Sequence, residues 1–79
     1  MDKDLISLDK LPVGSFCKVK KLISKGISRR RMLDLGLIHD TTVESIRKSP
    51  VGDSVAYEIR GAVIALRSEE ASKILVESI

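Results

Sequence analysis

Cys17 and His39 are the only cysteine and the only histidine of the chain, and they bound the chemistry this sequence could do. Covalent catalysis needs a nucleophile held against a base, with a third group orienting that base. Cys17 falls in an alternating segment and His39 in a turn-like one, and nothing in their spacing brings them together. No catalytic residue is expected. A closed metal site needs about four ligands. Asp34 or Asp40 could stand beside His39, but the spacing matches no ligand motif, and a site shared across a dimer would have to draw Cys17 or His39 from each copy. The phosphate-cradling patterns G-x-x-x-x-G-K-S/T and G-x-G-x-x-G do not occur. The chain is therefore read as a non-enzyme with no metal and no cofactor of its own.

Charge is the stronger signal. Residues 18–31 contain Lys18, Lys20, Lys21, Lys25, Arg29, Arg30 and Arg31, half of the 14 basic residues, with no acid among them, although the net charge is only +3. Segregation of this kind either keeps a face solvated or meets an acidic surface. An acidic protein fits better than nucleic acid. Phe16 and Tyr57 are the only aromatic residues, and no helix-turn-helix pattern is present. Lys25, Arg29 and Arg30 are the expected partner-binding residues. Arg31 is the fourth, with a structural contact to the barrel as its competing role.

Positioning that basic segment requires elements on both sides of it. Leu5 to Leu11 carries apolar residues, and Pro12-Val13-Gly14 marks a turn. Ser15 to Ile23 reads as a strand of imperfect alternation, with Phe16 and Lys18 on one face and Cys17, Val19 and Lys21 on the other; its lysines suit a place near a sheet edge. Ser28 is the expected N-cap of a helix of about two turns, with Ile27 and Met32 at staple spacing, and Gly36 ends it. Leu33, Leu35 and Leu37 are expected to point inward while the arginines face out. Thr41 to Lys48 and Val55 to Arg60 read as two strands around a reversal at residues 49–53, with Gly61 a further turn or bulge. Ala62 to Leu66 is apolar on both parities and is expected to be the most buried strand. Ser68 is a second N-cap, with Ala71, Ile74 and Leu75 the apolar side of a short helix and Leu75 to Ile79 a closing strand.

These elements make a mainly β protein, a small closed barrel with two short α-helices. At 79 residues it forms one domain, 1–79. The charged N-terminus, the lone cysteine and the short apolar runs argue against secretion and against membrane insertion, and a cytoplasmic setting is expected.

Three stretches resemble the FeoA family. Residues 31–37, RMLDLGL, are similar to its R-L-x-x-L-G-L helix; residues 61–67, GAVIALR, to its G-x-x-I-A-L-R strand; and Ala71 to Val76 to its A-x-x-I-x-V tail. Order and spacing agree from Leu8 to the end. Met32 replaces a leucine, and His39-Asp40 stands where the family usually has a proline and a glycine, a turn that aspartate tolerates.

The resemblance implies an SH3-like β-barrel that serves ferrous iron uptake as an accessory to FeoB, the membrane transporter with a cytoplasmic G-protein domain. It also implies kinship with the C-terminal domain of iron-dependent repressors, which supports an alternative reading as a regulatory module binding nucleic acid or metal. The oligomeric state is left open between a monomer and a weak homo-oligomer.

Overall fold

The computed structural model describes residues 4–50 and 52–79. Its strands are β1 (Ile6–Ser7), β2 (Phe16–Leu22), β3 (Thr42–Lys48), β4 (Ser54–Ile59), β5 (Ala62–Arg67) and β6 (Ile74–Ser78). They form one antiparallel sheet in the order β1-β6-β2-β3-β4-β5. Two helices, α1 (Gly26–Asp34) and α2 (Ser68–Ala71), and a 3-10 turn at Leu8–Lys10 complete the chain. This is the expected mainly β architecture with two short helices, but the cylinder is open. Strands β1 and β5 stand at opposite ends of the sheet and do not pair with each other.

Period-two alternation decides which side chains turn inward. Cys17 and Val19 of β2, Val43 of β3, Tyr57 and Ile59 of β4, Leu66 of β5, and Ile74 and Val76 of β6 meet Leu8, Leu11, Met32, Leu37 and Ala71 in one core. The Tyr57 hydroxyl donates to the Leu8 carbonyl at 3.4 Å, which ties the 3-10 turn to β4.

Two bulges interrupt the ladder. In β2 the register shifts between Val19 and Lys21, and in β3 between Ser45 and Arg47. One extra residue reverses the parity of the strand beyond it. That is why Leu22, rather than Lys21, returns to the inner side opposite buried Ile74. The imperfect alternation of this segment has its cause there.

Four sequence expectations are corrected. Strand β2 is central, between β6 and β3, not near an edge; its lysines are accommodated because only one face of the strand is covered. Strand β5 is the edge, not the most buried strand, and Leu66 alone of its residues is buried. Helix α1 begins at Gly26 with Lys25 as N-cap, so Ser28 does not cap it, and Ile27, 89% exposed, makes no staple. Arg67, not Ser68, caps α2, and Ile74 and Leu75 belong to β6. In the reversal at 49–53 the Ser49 N–H donates to the Ser54 carbonyl at 2.9 Å, while Val51 lies outside the described residues.

Candidate functional site

Helix α1 spans nine residues, and only Met32 among them is buried. A helix this short does not persist without tertiary anchors. The others come from its C-terminus. The Leu37 N–H donates to the Met32 carbonyl and the Gly36 N–H to the Leu33 carbonyl, both at 3.0 Å, with Gly36 at φ +96°. This is a Schellman closure, in which a residue without Cβ occupies the left-handed position. It turns Leu37 into the core next to Met32, while Leu35 stays half-buried. Leu33 departs from expectation. It is 39% exposed, because the inward register of α1 runs through Met32 instead.

The outer side of α1 is therefore both apolar and basic. Ile27, Leu33 and Ile38 are exposed, as are Lys25, Arg29 and Arg30. A groove of about 310 Å³ runs between β2 and the helix exit, with Leu22, Leu33 and Ile38 in its walls and Lys20, Lys21, Arg29 and His39 along it. A second, shallower depression of about 440 Å³ involves Gly26, Arg29, Arg30, Leu33 and Asp34. Arg29 and Leu33 line both. Four residues apart, they sit on one helix face and form the ridge between the two hollows.

The cations differ in how far they are committed. Arg31 turns away from this surface and pairs with Glu70 of α2, a contact to the other helix rather than to the barrel strands. Glu70 also accepts from the Arg67 backbone N–H at 3.0 Å. That hydrogen bond first, and the Arg31 guanidinium second, hold the Glu70 carboxyl below its ordinary range. Lys20 binds Asp40 and lies 3.7 Å from Glu77, and the Asp40 contact lowers that carboxyl while raising the lysine. Asp40 itself sits at φ +67°, so the turn replacing proline and glycine is kept by an aspartate in left-handed geometry. Arg29 donates to the Leu22 carbonyl at 3.2 Å, which lays its stem across the groove. Sequence reasoning does not place Lys20, Lys21 or Ile38 at this site; the bulge that sets Lys20 against Asp40 leaves no local sequence signal.

Cys17 and His39 are not brought together. The thiol is wholly buried and pushed up to about 11 by that burial, whereas the imidazole is at the surface. Among the described residues no group of three or more His, Cys, Asp or Glu side chains is placed to hold a metal ion. No helix among them is long and apolar enough to cross a membrane.

Comparison with known proteins finds relatives of this chain by sequence and by fold. The FeoA domain profile matches residues 6–78. A fusion protein of Porphyromonas gingivalis, in which Fe(2+) transport protein A is joined to the Fe(2+) transporter FeoB, is 33% identical over 72 residues, covering 91% of this chain and 8% of that protein. The chain thus spans a small part of that relative's length. Among solved structures, a FeoA-like protein from Clostridium acetobutylicum superposes with a TM-score of 0.88 at 32% identity, covering 99% of this chain and 91% of that one. Stenotrophomonas maltophilia FeoA complexed with zinc, described as a prokaryotic SH3 domain protein, shares the fold at TM-score 0.79 and 24% identity over 95% of this chain and 91% of its own. A manganese-dependent transcriptional repressor shares it at TM-score 0.88 over 44% of its chain, at 18% identity, a likeness of fold alone.

Proposed function

This chain belongs to the FeoA family, and on that premise we propose that it is a non-catalytic accessory protein of ferrous iron uptake that binds the cytoplasmic region of a FeoB-type transporter. The observation that carries the proposal is the outer side of α1 and its exit: a helix with one buried residue, where exposed Leu33 and Ile38 stand beside Lys25, Arg29 and Arg30. Apolar area supplies affinity at such a surface, and the cations steer and orient an acidic partner. Arg31, spent on Glu70, contributes by holding the helix in place. The protein works beside the membrane, in the cytoplasm, and any GTP chemistry belongs to the partner.

Titration against the purified cytoplasmic domain of a FeoB-type transporter, with and without guanine nucleotide, tests this reading. The variant carrying Lys25→Glu, Arg29→Glu and Arg30→Glu stays folded and binds on the order of tenfold to a hundredfold more weakly, as three exposed charges at about 0.5–1 kcal/mol each imply. Unchanged affinity in the variant excludes this face. Absence of binding by the native chain removes the accessory role, and tight, salt-dependent binding to duplex DNA would replace it with the regulatory alternative.

A further inference from the structure

The second unusual surface lies on the opposite end of the sheet order from β1. Strands β4 and β5 are joined by Arg60-Gly61, with φ of +53° and +86°, the signature of a type I′ hairpin. The closing pair of such a hairpin, Ile59 and Ala62, exchanges both backbone hydrogen bonds, so in the observed register Tyr57–Ile64 and Val55–Leu66 are bonded pairs as well. Val63, Ala65 and Arg67 consequently turn their N–H and C=O groups away from β4. Arg67 shows it: its N–H donates to Glu70 instead. Because β5 ends the sheet, the N–H and C=O groups of Val63 and Ala65 face outward with no strand beside them.

Edges of this kind are normally blunted by lysine, proline or brevity. Strand β1, the other edge, is two residues long. Strand β5 has six, with no charge and no proline from Ala62 to Leu66, and Val63 is 64% exposed.

We propose that this edge pairs with β5 of a second copy of the chain, antiparallel, about a two-fold axis at Ile64. That register is self-complementary. Val63 faces Ala65 of the second copy and Ala65 faces its Val63, so the outward groups of both residues are satisfied by four hydrogen bonds. A shift of one residue would set outward-turned groups against inward-turned ones and lose them. Four backbone bonds and small side chains cover far less than the ~1,200–2,000 Å² of a stable complex, so the pairing is weak, with Kd on the order of 1 mM.

Sedimentation equilibrium and ¹⁵N NMR of the full chain across the micromolar to millimolar range test it. The expected result is concentration-dependent dimerisation with shifts centred on the Val63 and Ala65 amides. Ala65→Pro deletes an N–H that the β4 ladder does not use, so it preserves the sheet and weakens association at least tenfold. Val63→Lys, a charge on the exposed edge, does the same should the proline variant misfold. Ile64→Cys cross-links to itself on oxidation and Val63→Cys does not. Arg29→Glu, on α1, leaves dimerisation unchanged. A chain that stays monomeric at millimolar concentration overturns the proposal. So does dimerisation that survives both edge variants or is lost with Arg29→Glu, and so do β5 amides that respond only to an added transporter domain.

Discussion

Replacing Met32 by alanine should detach α1 while leaving the sheet intact. Met32 is 1% exposed and is the single buried residue of the helix. Truncation of a buried methionine costs about 2–5 kcal/mol, and a domain of this length has roughly 4–12 kcal/mol in total. The remaining ties are the Schellman closure through Leu37, the exposed hydrogen bond from Arg29 to the Leu22 carbonyl and the Arg31–Glu70 pair, and a half-exposed ion pair contributes less than about 1 kcal/mol. Local release of α1 is then cheaper than global unfolding, because nine residues cannot keep a helix alone. Leu33→Ala is the internal comparison. With 39% of its surface already in solvent, it should cost about 1–1.5 kcal/mol, less than the truncation of Met32. Native-state hydrogen exchange reads both effects: Met32→Ala should speed exchange of the α1 amides by 10²-fold or more (about 3 kcal/mol) while β2, β3 and β6 keep their protection, and Leu33→Ala should leave all of them protected. Equal losses in the two variants, or a loss at Leu33 exceeding that at Met32, would refute the packing derived for this helix.

Two further outcomes concern pH. Glu70 ionises more readily folded than unfolded, so its contribution is complete above its ordinary value near 4.5 and is lost as pH falls through the lower folded value. Glu70→Gln should therefore flatten the acid limb of a stability-versus-pH curve and cost about 0.5–1 kcal/mol at neutrality, measured by urea unfolding. Cys17 shows the reverse case. The unfolded thiol releases its proton near pH 9 and the folded one only near 11, so stability should decline as pH rises from 9 to 11. Cys17→Ala should remove that part of the slope, and thiol reagents should modify the native chain only as fast as it unfolds.

The elements themselves are legible wherever a local rule governs them. Gly36 ends the first helix because the closure needs a left-handed residue, and Val55, Tyr57 and Ile59 alternate in a strand whose covered face holds Tyr57 and Ile59. Sheet order is not legible. Ala62 to Leu66 looks buried because it is apolar, yet it lies at the edge; Ser15 to Ile23 looks peripheral because it is basic, yet it is central. Both errors have one origin. Neighbours in the sheet are set by pairings distant in sequence, and a strand covered on one face tolerates lysines on the other. The helix start escapes local reasoning because Ser28 is a good cap in isolation, while Gly26 at φ +64° begins the turn two residues earlier. Of the candidate site, the basic residues could be named from charge alone. Its apolar half depends on whether Met32 or Leu33 faces the core, which differs by one position on the helix and carries no unambiguous signal in the sequence.

Amide shift mapping of the ¹⁵N-labelled chain against the transporter's cytoplasmic domain tests the central claim most directly. Binding through α1 and its exit predicts perturbations concentrated at Lys25, Arg29, Arg30, Leu33 and Ile38. An unperturbed spectrum, or shifts confined to the β4–β5 hairpin, would contradict it.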